Sequence, residues 1–514
     1  MIRCCPLAHP SSRRLLAIPL RTALVRTKEA AMYRITLVVA TCCLCALGYS
    51  LEQEDLTKAS RKALLRATQF LHEKVSVQGT YLWSYSADLQ QRRGELPATA
   101  TQGWVQPPGT PAVALAFLHA YEATGDRIHL EAARASAYAL VDTQLASGGW
   151  DYWVDFEPQQ HDRWFYRKKV DAGQTNAGGQ RSTTTYDDDT TQSALRFLLA
   201  MDRTLQGQDP NIRRAIEFGL ARLLDAQYDN GAWPQRFQGR LPQVPNPRAQ
   251  AHFPRDWSRT HPGKGYNYAH FYTLNDRVME TIILTLLQAH ELYRNPAYLR
   301  AAVRGGEFLL LAQMPEPQPA WAQQYNFAVQ PAWARAFEPP AIASAESASA
   351  MRALITLYLA TGEDRFIQPV FKAAAWLQRS RLPNGAWARF YELQTNRPLY
   401  FNKRYQLVYS DNDLPTHYAF RGDFGIPGLL RDLERLQRLG REKYLAQRMR
   451  KPSPDELRQR LRSLHGQVRD IIQSQDAAGC WLQNNEIRTS LFIRNIEILA
   501  EYLRLARALA NTSQ

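Results

Sequence analysis

The chain has 514 residues, with 63 Lys and Arg against 48 Asp and Glu and a formal net charge of +15. It can bury a large core, and length alone allows roughly two to four domains; the positive balance suits an anionic partner, whether nucleic acid, membrane surface or acidic polymer, without choosing among them. Of six cysteines, Cys4, Cys5, Cys42, Cys43 and Cys45 fall before residue 50, so Cys480 stands alone in the rest and excludes an intramolecular disulfide or a cysteine zinc site there.

Residues 1–31 are basic and unpatterned. From Met32, MYRITLVVATCCLCALG has a positive residue, an apolar stretch from Ile35 to Leu47, and small residues Ala46 and Gly48, the layout of a secretory signal peptide. The stretch is too short for a transmembrane span. Residues 1–50 are therefore read as a leader with Met32 as the true start and cleavage near Gly48, giving a secreted or periplasmic protein. VATC ending at Cys42 leaves a lipoprotein anchor as the weaker alternative.

Beyond the leader, QLASGGW (Gln144 to Trp150), QYDNGAW (Gln227 to Trp233) and QDAAGCW (Gln475 to Trp481) share the pattern Q-x-x-x-G-x-W, and RLPNGAW (Arg381 to Trp387) departs only at its first residue. Looser versions surround Trp83 and Trp321. Each clear copy follows a run with apolar residues at three- and four-residue spacing, such as AIEFGLARLLDAQ, which predicts a helix. Gly supplies the tight exit, Gln bonds exposed backbone and Trp covers the end of the hairpin. The copies lie about 65 to 95 residues apart, too irregular for a uniform solenoid. They predict an all-α fold: an α/α toroid of helical hairpins over 51–430 with long rim loops and few short strands, confined to aromatic stretches such as ARFYEL and QLVYS. Residues 431–450 read as a basic exposed helix, KPSPDEL as a linker and fresh helix start, and 431–514 as a helical hairpin that closes or extends the toroid.

The inserts carry the chemistry. After Trp150 a polar loop runs to Asp187, Asp188 and Asp189 before a helix marked by Leu195, Leu198 and Leu199; after Trp233 another reaches Asp276 before Val278, Ile282 and Leu286. One Asp suffices as a cap, whereas adjacent carboxylates raise one another's pKa unless a cation or solvent relieves them. Loops entering equivalent toroid helices share one rim, so the Asp cluster, Asp276, Arg335 and Arg421 are expected to converge across one cleft. Oxygen ligands from two loops suit Ca²⁺ better than zinc or copper; helix capping is the plainer reading of each Asp alone. Arg335, Arg389, Lys403, Arg404 and Arg421 form a basic set interleaved with aromatic residues, suited to binding carboxylates and stacking on sugar rings or bases. Solvated surface charge is the plainer reading of most arginines.

NGAWPQRF followed by YTLNDRVM, then ARAFE with SAES behind it, then WARFYELQTNR, resemble successive motifs of the family 10 pectate lyases, over roughly residues 140–425. The resemblance implies a toroid-like helical fold and cleavage of polygalacturonate by calcium-assisted β-elimination with an arginine base. It assigns Asp187 and Asp276 to the metal, Arg335 to proton abstraction, Arg389 to substrate, and Lys403 or Arg404, with Arg421, to other carboxylate-binding positions. Asp188 and Asp189 are left as supporting or capping groups. This sequence departs from the family at Arg277, where a small polar residue is usual, at Asp189, where the family has Gly, and in the longer, more basic loop from Arg236 to His270.

An arginine base implies an alkaline optimum, since its reference pKa is about 12.5 to 13.8, and crowding by other cations would favour its neutral form. The expected partner is an acidic polysaccharide, with no nucleic acid, no stable membrane span in the mature form, and action as a monomer. Two other readings compete. DDDTT is similar to the D-x-D-D-T acid motif of triterpene cyclases, which also carry Q-x-x-x-G-x-W repeats, although Tyr186 stands where the first Asp belongs. A non-catalytic acidic-polysaccharide-binding protein would keep the basic, aromatic cleft without needing both Arg335 and the Asp pair.

Overall fold

Each helical hairpin is built around the same local device. Gln144 Nε2 donates to Gly148 O (2.8 Å) in its own loop and to Ala215 O (2.8 Å) on the next outer helix; Gln227 bonds Gly231 O and Ala301 O in the same way, and Gln475 bonds Gly479 O and Ala63 O. Where Arg381 replaces Gln, its Nε takes over the bond to Gly385 O at 2.8 Å. The Trp closes the helix end from inside: the indoles of Trp150, Trp233, Trp387 and Trp481 donate to carbonyls ten residues back. The Gly is needed twice over at Gly231, where φ is +94° and a Cβ would collide with the Arg304 carbonyl oxygen.

The computed structural model describes residues 53–512 apart from 245 and 247. The leader over 1–50, the start at Met32, the signal peptide and the five early cysteines lie outside them. No helix among the described residues is long and apolar enough to cross a membrane.

Within the unit from Ser60, helices alternate between an inner and an outer layer. The hairpins are α1 (Thr110–Thr124) with α2 (Arg127–Thr143), α3 (Thr190–Thr204) with α4 (Pro210–Asp225), α5 (Val278–Tyr293) with α6 (Pro296–Ala312), and α7 (Ser344–Thr361) with α8 (Gln368–Arg379). They are followed by α9 (Ile426–Met449), α10 (Pro454–Gln473) and α11 (Thr489–Thr512). Starts are set by caps: Asp209 accepts from Asn211 N and Ile212 N before α4, Asn295 from Ala297 N before α6, and Ser453 forms a capping box with Glu456 before α10, each with Pro in the first turn. Inner helices pack in the order α1, α3, α5, α7, α9, and α11 lies against α1. The apolar positions read from the sequence point inward, with Leu195, Leu198 and Leu199 of α3 and Val278, Ile282 and Leu286 of α5 all buried. This is an α/α toroid. Helix α9 runs through residue 430 and kinks at Gly440, so the segment 431–514 begins inside a helix.

Strands are more widely distributed than the aromatic stretches suggested. Short antiparallel ladders stitch one insert to another around the rim: Thr184–Thr185 with Arg236–Phe237, Tyr272–Thr273 with Gln324–Tyr325, Ile342–Ala343 with Phe390–Tyr391, and Ser84–Ser86 with Glu486–Arg488. Most are two residues long, too short for an alternating pattern to announce them. They place each insert beside its neighbour, and the site depends on that.

Candidate active site

Two matching turns form the centre. Asp187–Asp189 and Asn275–Arg277 each make one 3₁₀ turn at the entry to α3 and α5, and each carries two consecutive left-handed residues: Asp188 and Asp189 at φ 50° and 60°, Asp276 and Arg277 at 45° and 67°. Such conformations are uncommon outside glycine and persist where surrounding contacts impose them. Here Tyr186 N donates to Gln235 O, and Leu274 N and Asn275 N both donate to Gln323 O. Asp188 and Asp276 are thus equivalent positions on adjacent inner helices, and one carboxylate oxygen each from Asp187, Asp188 and Asp276 lie within 4.8 Å of one another.

The rim ladders supply the groups that hold these carboxylates. Gln235, next to the strand paired with Thr184–Thr185, donates to Asp187 Oδ2 at 2.7 Å, and Tyr152 OH donates to the same oxygen at 2.8 Å. Gln106 Nε2 donates to Asp188 Oδ2 at 2.8 Å. The Trp104 indole N–H, a donor only, occupies Gln106 Oε1 at 2.9 Å, which fixes the amide with its NH₂ toward the carboxylate. Asn275 Nδ2 donates to Asp276 Oδ2 at 2.5 Å.

The third member of each turn faces elsewhere. Asp189 pairs with Arg196 at 2.5 Å, and Arg277 pairs with Glu280, which also takes Arg352. The cation at the unusual position 277 is therefore engaged by Glu280. Asp188, taken from the sequence as a supporting or capping group, belongs to the cluster itself.

Three carboxylates in a largely buried site repel. Burial first, then the charges of Asp187 and Glu95, push the Asp188 carboxyl up to about 7, against the pull of Arg335 and Gln106. Asp276 is raised well above the usual carboxylate range by burial and by Asp187 and Asp188, with Arg389 opposing. Asn275 Oδ1, buried at the same turn, has no hydrogen-bond partner. An all-oxygen donor set, mutual repulsion and an unpartnered amide oxygen fit a hard divalent cation.

The basic side is organised by one tyrosine. The guanidinium carbons of Arg335 and Arg389 lie 5.6 and 4.8 Å from the Tyr418 ring centroid, and Tyr418 OH donates to Glu338 Oε1 at 3.2 Å. Arg335 bonds the buried Glu338 at 2.5 Å while its own side chain is 45% exposed. The environment differs from the cationic crowding expected: burial pulls the Arg335 pKa down, but the hydrogen bond and charge of Glu338 more than offset it and hold the guanidinium above its ordinary range. Arg389 pairs with buried Glu346 at 2.5 Å. Its backbone N–H donates to Phe420 O and its carbonyl accepts from Ser344 N at the entry to α7.

Asp187, Asp188, Asp276, Arg335 and Arg389 are thus brought within electrostatic reach of one another. Of the remaining three basic residues, on the hairpin and loop that follow, Lys403 pairs with Asp413 at 3.1 Å and Arg421 pairs with Asp411, whereas Arg404 lies in an exposed turn in which its backbone N–H donates to Asn402 Oδ1. Gln106, Tyr152, Gln235, Glu346 and Tyr418 were not singled out from the sequence. Gln235, Glu338 and Glu346 sit inside NGAWPQRF, ARAFE and SAES, so the motifs contained the signal; Gln106, Tyr152 and Tyr418 lie in none of them.

A family model described as pectic acid lyase matches residues 144–386. Among solved structures, the chain is similar to a mutant of the family 10 polysaccharide lyase from Cellvibrio cellulosa in complex with trigalacturonic acid, with 20% identity over 64% of this chain and 98% of that one and a TM-score of 0.43. It is also similar to the GH76A alpha-1,6-mannanase from a Salegentibacter species, with 10% identity over 88% and 99% of the two chains and a TM-score of 0.38. Cellobiose 2-epimerase from Bacillus thermoamylovorans gives 10% identity, 88% and 99% coverage and a TM-score of 0.45. No curated protein matches the chain.

Proposed function

We propose that this polysaccharide lyase, whose residues 144–386 match the pectic acid lyase family model, cleaves polygalacturonate by calcium-assisted β-elimination. The observation that carries the reading is the meeting of three carboxylates, Asp187, Asp188 and Asp276, with two arginines arrayed on Tyr418. A cleft with both charges in separate clusters suits a substrate that is itself an anion and is held partly through a cation.

Asp187, Asp188 and Asp276 are the residues that would hold Ca²⁺. When bound, the ion supplies positive charge to the uronate carboxylate, which makes the C5 proton more acidic. Arg389, fixed by Glu346 and the Tyr418 face, adds fixed positive charge where negative charge develops. Arg335 is the base. Its neutral form takes the C5 proton, the C–H electron pair forms the C4–C5 double bond, and the C4–O bond breaks with its electron pair on the departing oxygen, which gains a proton from solvent as the rest of the chain is released. Because Glu338 favours the charged form of Arg335, the neutral fraction is small at neutral pH and turnover climbs with pH on the alkaline side.

Substrate charge tests the reading. Fully methyl-esterified pectin lacks the carboxylates that Arg389 and the cation would bind, and losing one charge-assisted hydrogen bond costs about 1.5 to 3 kcal/mol. Its initial rate is expected to fall about 10 to 100-fold below that of polygalacturonate; equal rates on the two polymers would refute it.

A further inference from the structure

The loop from Arg236 to His270, longer and more basic than its family resemblance implies, is fastened beside Arg335. Trp333 Nε1 donates to Ser258 O at 3.0 Å. His261 Nδ1 accepts from Gly263 N, so its Nε2 carries the proton toward Ala334 O, 3.0 Å away. Both ring nitrogens of His261 are thereby engaged, and the loop is tied to the two residues immediately before the proposed base, Trp333 and Ala334. Between this loop, the Trp333–Ala336 stretch and the Phe401–Tyr409 hairpin lies a cavity of about 470 Å³.

Its walls have a definite chemistry. Trp333 and Phe401 are buried, whereas Tyr405 is 45% exposed. Tyr405 sits at φ +56° in a turn in which Asn402 Oδ1 accepts from Arg404 N and Gln406 N. One side of its ring is backed by Phe337 at 5.4 Å in a stacked arrangement, and Phe337 in turn lies 5.0 Å from the Arg335 guanidinium. Arg259 reaches the cavity with 62% of its side chain exposed, anchored by one 2.7 Å bond to buried Glu392, which also accepts from Tyr409 OH at 2.6 Å. No carboxylate is among the described residues lining the cavity.

We infer that this cavity is a distal subsite for a further uronate unit of the same polymer, with the Tyr405 ring stacking on the sugar and Arg259 binding its carboxylate. The inference rests on the polygalacturonate reading above. An aromatic ring already backed by a neighbour presents a flat apolar face at little entropic cost. Arg259, with Glu392 holding one side, keeps other N–H donors for a second carboxylate. One aromatic ring separates the subsite from Arg335, so a chain spanning both must be longer than one that fills only the cleavage site.

Steady-state cleavage of galacturonate oligomers of three and six units in Ca²⁺, followed by absorbance of the unsaturated product, tests it. The parent protein is expected to show a KM about tenfold lower for the longer oligomer. Tyr405→Asn, chosen because Asn tolerates a left-handed backbone, and Arg259→Gln should each remove most of that advantage, with thermal melts confirming that both variants fold. Loss with Tyr405→Asn alone overturns the carboxylate contact and leaves a neutral-sugar platform. An unchanged ratio in both variants overturns the subsite while leaving the lyase reading intact, whereas absence of absorbing product from either oligomer with the parent protein overturns the substrate reading itself.

Discussion

Replacing Arg335 by alanine is expected to lower turnover of polygalacturonate by about 10² to 10⁴-fold, the usual contribution of a positioned proton acceptor, while the protein stays folded. The stability cost should be about 1 to 3 kcal/mol, since Arg335 is half-exposed but its partner Glu338 is buried; the backbone N–H of residue 335 and Tyr418 OH still donate to Glu338 and limit the loss. Arg335→Lys should restore little, since an ammonium end reproduces neither the fork that grips Glu338 nor the guanidinium position over Phe337 and Tyr418. Rates measured across the alkaline range, with a thermal melt of each variant, check this. Near-parental turnover by Arg335→Ala at every pH would make the residue a structural partner of Glu338 and nothing more.

The second large effect is at Asp276. In the parent protein, a cation binding only the folded state at a hundredfold excess over Kd adds about 2.7 kcal/mol of stability. Asp276→Asn should abolish most of this gain, and the cation-dependent turnover with it. Asn keeps the left-handed turn, so geometry is preserved while charge is lost. In the absence of added cation, the same variant should melt at or above the parent temperature, because one of three mutually repelling carboxylates is gone. A melt in chelator and in excess Ca²⁺ reads both effects. An undiminished Ca²⁺ shift in the variant would remove Asp276 from the metal site.

The toroid was legible because its determinant is local. Gln, Gly and Trp of each repeat act on one another and on the next outer helix, so a seven-residue pattern reports a hairpin wherever it occurs, and even Arg381 preserves the bond to Gly385 O. The convergence of Asp187 with Asp276 followed from placing equivalent helix entries on one rim. What the spacing alone concealed is which Asp faces inward. Aligning Tyr186-Asp187-Asp188-Asp189 with Leu274-Asn275-Asp276-Arg277 matches Asp188 to Asp276, but only the paired left-handed residues show that Asp189 and Arg277 turn toward Arg196 and Glu280.

Gln106 was beyond reach for a different reason. It comes from an early insert, outside both the matched segment and every quoted motif, and its role exists only because the ladder Gln102–Trp104 with Trp153–Asp155 brings that insert to Asp188. Lys403 and Arg421 carry a different signal. Beside the aromatics that suggested carboxylate binding, Ser410-Asp411-Asn412-Asp413 supplies each of them with an ion-pair partner. Both side chains stay largely exposed in these pairs, and such pairs contribute only about 0 to 1 kcal/mol.

Mixing the protein with polygalacturonate and following ultraviolet absorbance, with and without chelator, tests the central claim most directly. Absorbance of the unsaturated product should grow, stop when the cation is sequestered, and resume when Ca²⁺ is supplied in excess. Shortening of the polymer without any rise in absorbance, or a rise indifferent to chelator, would contradict cation-assisted β-elimination at the Asp187, Asp188 and Asp276 cluster.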